Sequence, residues 1–455
     1  MIIKISGAGS GKTTALAKRI VDRRKELPED KMIYCVTYTN TAVDRISNLL
    51  SRCYDDIPNN IKVSTIHSFL YQEIIKPYYY LLYEKQYEGI SDMKLDSNPK
   101  YRNLKIAELE KRNILHVSVF STRAKWVVCK KSNDTSLRKK NRSIILHNLA
   151  QYCGQIFIDE AQDMNDDMAE IVEGLNSYNM SVELVGDPKQ DVHSFKSLRK
   201  LVTNHLSDTS YVNKCYRCPQ IHLNISNRLV PSSEKQVSSK TKGTLNLIFE
   251  SEHNIHSLIN REKFDLIYIS KKNDKYDTHE IHGDNPSIKS LFYEIQQYLG
   301  NYVASENNNM LMAKQLAYYY SIKLLIKCKT TKNPALAIKI LTNDYKINRV
   351  TYAKIIQILE NIVDENVTND KIYVQSIDKV KGQEGERCLF ILTTDLAAYL
   401  FGKKTDDNKV KHQLYVALTR SLNELSILVS DGVERAYTKD FILDYFAKDL
   451  VQVQQ

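Results

Sequence analysis

No uninterrupted apolar run in the 455 residues approaches the ~18–20 that crossing a bilayer requires. The first twenty residues also lack the small-residue cleavage site of a secretory leader, and read as strand, glycine-rich turn and helix. These two absences predict a cytoplasmic protein with no membrane partner. A cysteine framework is missing too. Eight cysteines, at positions 35, 53, 129, 153, 215, 218, 328 and 388, are scattered. Only Cys215 and Cys218 make a CxxC, and no second ligand pair stands near them to complete a zinc site, so reduced structural thiols are expected. There is no fixed-period repeat and no long disordered segment.

What is present is ordinary for a globular chain: 42% hydrophobic and 26% charged residues, with length for about two to four domains. The net charge is +10, from 64 Lys and Arg against 54 Asp and Glu. That suits nucleic acid without requiring it. The excess is concentrated in TRAKWVVCKKSNDTSLRKKNR, where Arg123 to Arg142 holds eight basic residues and one acid. Alone, such a run would be a solvated face.

Short apolar runs, each followed by polar residues, alternate with helical patterns. Ile2–Ile5, Met32–Val36, Lys62–Ser64, Gln155–Ile158 and Val182–Val185 predict the strands of one parallel sheet, with chemistry at their carboxyl ends. TLNLIFES, FDLIYIS, IYVQSID, CLFILTT and LSILVS predict a second sheet. Helix-like stretches interrupt each set, at about 70–150 and 285–365. SENNNM from Ser305 and VDENVTND from Val363 are expected to be loops.

Three stretches carry chemistry. SGAGSGKTT sets glycines between a buried strand and a helix, so that backbone N–H groups and the helix dipole bind phosphates. Gly7, Ala8, Gly9, Ser10, Gly11 and Thr14 would form the cradle; Lys12 would reach the β- and γ-phosphates and Thr13 would hold Mg²⁺. IFIDEAQDM ends a buried strand in two carboxylates. Asp159 suits the second Mg²⁺ ligand, and Glu160 suits the group that orients an attacking water. In VGDPKQDVHSF, Gln190 could sense the γ-phosphate, while His193 and Phe195 could stack on bases.

These stretches, taken in order with VTYTNTAVDRI, STIHSF, CYRCP, SIDKVKGQEGE and YVALTR, resemble the motif series of superfamily 1 helicases of the UvrD/Rep/PcrA type across essentially the whole chain. The resemblance implies two RecA-like P-loop domains: 1A at 1–69 and 151–210, and 2A at 211–284 and 366–455. It implies a helical 1B-like insertion at 70–150 and a reduced 2B-like one at 285–365. It implies that Gln190 couples the γ-phosphate to DNA, and that Arg217 and Arg420 are arginine fingers, a role suited to a planar, permanent charge. Tyr216 would stack on the base, with Gly382 and Glu384 bordering the nucleotide and Glu384 on the ribose. Tyr38, Thr39, Asn40, Thr65 and His67 would line the single-strand path, with His193 and Phe195 nearby. In this setting Lys130, Lys131, Arg138 and Lys139 become candidates for phosphate contact.

Compact size, FLYQEIIKPY and CYRCPQIHLNISN are further similar to the helicase-like subunits of the Gabija anti-phage defence system. That similarity implies a protein partner with a TOPRIM nuclease domain. The implied activity is ATP-driven, 3′→5′ movement on single-stranded DNA. The alternative is a nucleotide-gated DNA-end sensor that licenses a nuclease with little unwinding. The sequence departs from the family at Asp378, where His is frequent, at His193, where an aromatic is usual, and in lacking Arg-Gly after Ser194. Five residues before Ser6 leave no room for the adenine-reading Gln motif. Base recognition then falls to stacking on Tyr216, so GTP and dATP should be hydrolysed nearly as fast as ATP. A strong preference for ATP in a turnover assay would show that another residue reads the adenine edge.

Overall fold

The computed structural model describes residues 1–93, 95–131, 133–278, 286–304, 310–364, 371–447 and 452–453. The segments expected to be loops fall mostly outside these: 305–309 and 365–370 are not among the described residues, while Val363 and Asp364 belong to the helix Arg349–Asp364.

Two six-stranded sheets organise the chain. In the first the strand order is Ile61–Thr65, Met32–Thr37, Cys153–Ile158, Val182–Gly186, Ile2–Ser6 and Thr209–Val212, with every pairing parallel. The β-branched runs make these strands, and the period of two divides their side chains between two cores. Ile33, Cys35 and Phe157 turn towards Leu16 and Ile20 of the helix Lys12–Glu26 and Ile46 and Leu50 of the helix Asn40–Leu50. Ile3, Ile5, Tyr34 and Val36 turn the other way, against Ile74, Leu146 and Leu149. The helical stretch after Phe69 therefore covers one face of the sheet and shares its core. Within that stretch a short parallel pair, Gly89–Ser91 with Ile114–His116, adds strands that helical periodicity had hidden.

The second sheet runs Gln375–Ser376, Leu266–Ile269, Gly385–Leu392, Ser421–Val429, Thr244–Phe249 and Gln452–Val453. Its central pairings are parallel, and Leu247, Tyr268, Phe390 and Ile427 share its core. The expected strand IYVQSID is not continuous. Ile372–Tyr373 pairs with Tyr276–Asp277, and only Gln375–Ser376 joins the six-stranded sheet. The run ends there because the Ser376 hydroxyl accepts from the Lys379 N–H and starts the helix Ile377–Val380.

The chain divides into two compact units. One comprises 1–91, 104–270 and 376–455 and contains both sheets; the other comprises 92–103 and 271–375. In the second unit, Leu291, Ile295, Ala317, Leu324, Ile355 and Leu359 build a separate core between the helices Pro286–Ala304, Met310–Thr331 and Arg349–Asp364. Among the described residues no helix is long and apolar enough to cross a membrane.

The basic run is largely spent inside the fold. Arg142 is 2% exposed, and its guanidinium donates to the Val127 and Trp126 carbonyls and to Asp134 Oδ2 at 2.6 Å. Arg123 pairs with Glu110, and Lys125 with Asp167 and Glu170. Lys131 lies 3.4 Å from the centre of the Trp126 ring, and Arg138 lies 5.2 Å from that of Tyr83. Lys130, Lys139 and Lys140 are exposed. Removing Asp134 would leave a guanidinium buried without its counter-ion, a loss of about 3 kcal/mol. Asp134→Ala should therefore melt several degrees lower in a thermal unfolding scan, while Lys139→Ala should melt with the wild type.

Candidate nucleotide site and adjoining cleft

The glycine-rich loop joins the strand Ile2–Ser6 to the helix Lys12–Glu26. Gly9 and Gly11 have φ of 66° and 76°, a region open to glycine at no steric cost. A Cβ on Gly9 would also stand 2.3 Å from Arg217 Cβ. Residues Ala8 to Thr14 line a cavity of about 240 Å³ at the helix N-terminus. The buried Ser10 hydroxyl in this loop has no hydrogen-bond partner among the described residues. Gly7 lies behind the cavity, packed on Gln236.

Asp159 and Glu160 stand at the end of the buried strand Cys153–Ile158. Asp159 is 1% exposed, and its Oδ1 accepts from the Glu160 N–H at 3.0 Å. Burial, then the Glu160 charge, push the Asp159 carboxyl up to about 7. Burial acts on Glu160 as well, but the Lys12 and Lys381 ammonium groups outweigh it and hold that carboxyl below its ordinary value. Lys12 Nζ is 4.0 Å from Glu160 Oε2, and the Gln162 amide donates to the same oxygen. Glu160 adopts a φ of 53°, a left-handed conformation that costs on the order of 1 kcal/mol for a residue with a side chain. The strain aims the carboxylate at the cavity.

Two guanidiniums form the opposite wall. Arg217 donates to Glu384 at 2.7 Å and to the Thr419 carbonyl at 3.4 Å. Arg420 is 1% exposed, and its donors reach only neutral oxygens: the Val416 and Gln383 carbonyls and the Thr419 hydroxyl. Burial and the neighbouring Arg217 charge bring the Arg420 guanidinium down to about 10. Tyr216, 53% exposed, stands at the mouth of the cavity, its ring 3.8 Å from where a Gly11 Cβ would be. Gly382 and Glu384 border the same space.

Gln190 lines the cavity too, and its amide donates to Asp187 Oδ2 at 2.8 Å. Asp187 is fully buried. Burial would raise its carboxyl, yet the Lys189 and Lys12 charges and the Gln190 hydrogen bond bring it down to about 2.

A larger cleft of about 790 Å³ adjoins the cavity. Thr13, Arg45, Glu160 and Gly382 line both. Tyr38, Thr39, His67, His193 and Phe195 line the cleft, with Lys379 and Lys381. The His193 and Phe195 rings stack at 5.3 Å. Burial lowers the His67 pKa, which favours the neutral ring. Asn40 and Thr65 do not line the cleft. Thr65 Oγ1 caps a helix by accepting from the Ser68 N–H, and Thr39 Oγ1 accepts likewise from the Ala42 N–H. Asp378 pairs with Lys409 at 2.8 Å and accepts from the Gln413 amide. Lys130, Lys131, Arg138 and Lys139 line neither space.

Sequence reasoning passed over Arg45, Asp187, Lys189, Lys381 and Tyr415, although each stands inside a motif quoted above. Glu234 and Gln236 stand in no motif. Their only signal is a run in which polar residues are buried while the adjacent Val237 is 64% exposed.

Two family models match: an AAA domain over residues 1–196, and the viral superfamily 1 RNA helicase core domain over residues 105–299. Gabija protein GajB of Bacillus cereus (strain VD045) is 23% identical over 515 aligned positions, covering 99% of this chain and 97% of that protein. One subunit of the ATP-dependent helicase/nuclease of Bacillus mycoides (strain KBAB4) is 37% identical over 100 residues, which are 18% of this chain and 8% of that protein. Among solved structures, the PRRSV helicase matches over 94% of this chain and 52% of that chain, at 9% identity and a TM-score of 0.35. An overlay that loose adds nothing to the fold, which the two parallel sheets define. The ordered motifs, the two family models and the full-length relative agree: the chain is an ATP-dependent helicase with two RecA-like domains, similar to those of superfamily 1.

Proposed function

We propose that the protein hydrolyses ATP, and other purine nucleoside triphosphates, when bound to single-stranded DNA, and uses the cycle to move along the strand. One observation carries this reading: a fully buried Arg420 with no carboxylate partner shares a phosphate-sized cavity with Arg217, Lys12 and Glu160, and Asp159 stands next to Glu160. A buried guanidinium held only by neutral oxygens calls for an anion beside it.

The triphosphate would lie along Gly9–Thr14, with Lys12 on its outer phosphates. Thr13 and Asp159 fit a hard divalent cation, since a carboxyl driven up by burial and by its neighbour's charge is what such an ion relieves. Mg²⁺ bound there would neutralise charge on the β- and γ-phosphates. Glu160, held ionised by Lys12 and Lys381, accepts a proton from the attacking water. Arg420 and Arg217 meet the charge that develops on the transferring group, and Arg217 exchanges Glu384 for phosphate as the ribose takes up Glu384. Tyr216 offers its open face to the base.

Gln190 and Glu160 border the phosphates, and the cleft with Tyr38, His67, His193 and Phe195 begins at Glu160. A strand in that cleft can therefore bias hydrolysis, and the reverse. The full-length similarity to GajB supports a role in defence; a nuclease is the partner proposed, and copurification from a host carrying the neighbouring genes tests it.

Lys12→Ala and Glu160→Gln should each lower DNA-stimulated ATP turnover by about 10²–10³-fold while the folded fraction is unchanged. Full turnover in either variant would sink the proposal. Strong hydrolysis with no movement on DNA, read by streptavidin displacement, would favour the sensor role instead. Replacing Lys130, Lys131, Arg138 and Lys139 with Ala should weaken DNA binding without sequence preference. The exposed pair, Lys130 and Lys139, should account for a drop of roughly two in the slope of log affinity against log salt. An unchanged slope over several salt concentrations removes the basic run from the DNA path.

A further inference from the structure

We infer that Glu234 and Gln236 are positioning residues for the nucleotide site, Gln236 setting the phosphate loop and Glu234 setting the Gln190 turn. This inference rests on the triphosphatase reading above. The segment Pro231–Val237 lies between CYRCP and the second sheet, and none of the quoted motifs includes it. Its polarity is inverted. Glu234 and Gln236 are 4% and 2% exposed, whereas Lys235 and Val237 face solvent. A chain that buries its polar side chains and exposes its valine is held so by specific partners.

Gln236 has such partners on every side. Its backbone N–H donates to Asn227 Oδ1 and its carbonyl accepts from the Asn227 amide, both at 2.8 Å, which fixes the strand. Its side-chain amide donates to the Ala8 carbonyl at 3.0 Å. Its side-chain oxygen accepts from the Tyr415 hydroxyl at 2.8 Å, and that hydroxyl accepts from the Ala8 N–H at 3.3 Å. Both polar atoms of the Ala8 residue are thus clamped in one ring of three hydrogen bonds. The fit is close enough that a Cβ on Gly7 would stand 2.2 Å from Gln236 Cδ.

Glu234 works on the other wall. Its Oε2 accepts from Lys189 Nζ at 3.3 Å, and Arg199 holds its other oxygen. Lys189, 3% exposed, also pairs with Asp187 at 2.8 Å, and Asp187 holds the Gln190 amide at 2.8 Å. Neither Glu234 nor Gln236 lines the cavity. Gln236 acts through Ala8, which does, and Glu234 reaches the lining residue Gln190 through Lys189 and Asp187, so one short segment ties the glycine loop to the turn beside it.

The test compares Gln236→Leu, Tyr415→Phe and Glu234→Gln in steady-state ATP hydrolysis on single-stranded DNA, with thermal melts and the affinity for a fluorescent ATP analogue. Loosening a preorganised cradle weakens binding, so Gln236→Leu and Tyr415→Phe should each raise KM and the analogue's Kd roughly tenfold, with kcat within about threefold. Glu234→Gln keeps one of the two acceptor oxygens but removes the negative charge that faces Lys189 and Arg199. It should lower kcat roughly tenfold with KM within about threefold. Equal kcat losses in all three with KM unmoved, the signature of a smaller folded fraction, would overturn the inference, as would no change. If the wild type hydrolyses nothing on DNA, the triphosphatase reading falls separately. The analogue's Kd then still decides the Gln236 clamp, a tenfold weakening supporting it and an unchanged value refuting it.

Discussion

Like charges crowded around one cavity are the constraint on which the candidate site depends. Glu160 lines the cavity with the buried Asp159 beside it, and Arg217 and Arg420 line it as well. Neither pair is comfortable alone, since burial strengthens repulsion as much as attraction. The fold meets the difficulty only in part. Lys12 and Lys381 steady Glu160, Glu384 occupies Arg217, and Arg420 is left with neutral oxygens. The residual imbalance leaves a positive charge without a counter-ion on Arg420 and a carboxyl raised by burial at Asp159, as functional sites commonly do.

The parallel sheets explain how so much charge is held at one place. The central strands of the first sheet send side chains into cores on both faces, while the edge strands Ile61–Thr65 and Thr209–Val212 stay partly exposed. The carboxyl ends of Ile2–Ser6, Cys153–Ile158 and Val182–Gly186 thereby deliver the glycine loop, the carboxylate pair and the Gln190 turn to a common edge. The guanidiniums come from elsewhere in the same unit, at the turn after Cys215 and the start of the strand Ser421–Val429. The segment around Glu234 and Gln236 spans the two contributions, holding Ala8 and Lys189 at once.

The nucleotide site was legible in the sequence because its chemistry is local. A phosphate loop needs glycine at positive φ, and Gly9 and Gly11 take it. A metal-and-water centre would need adjacent acids after a buried strand, and Asp159 and Glu160 stand at the end of Cys153–Ile158. The cleft was less legible. The resemblance placed Thr39 and Thr65 along the strand path; only Thr39 lines the cleft, and both hydroxyls cap helices, a use that the same residue type serves equally well. The basic run was harder still. Linear charge density does not reveal that Arg142 is buried against Asp134, or that Lys131 and Arg138 lie over aromatic rings. Alternation in IYVQSID likewise predicts one strand, and cannot show that Ser376 starts a helix inside it.

Sequence by itself determined most of the two-sheet α/β plan, the glycine loop and the carboxylate pair, since each depends on residues within one turn or one strand of each other, and the order of the motifs along the chain determined the helicase class. Tertiary structure alone decided which charges remain unpaired. Arg420 lacks a counter-ion because the residues around it in space, Val416, Gln383 and Thr419, offer only neutral oxygens. It also decided that Gln236, 228 positions after Ala8, clamps the loop. Electrostatics and hydrogen bonding act over a few ångströms of space, and no local pattern records which distant residues the packing of two sheets will bring that close.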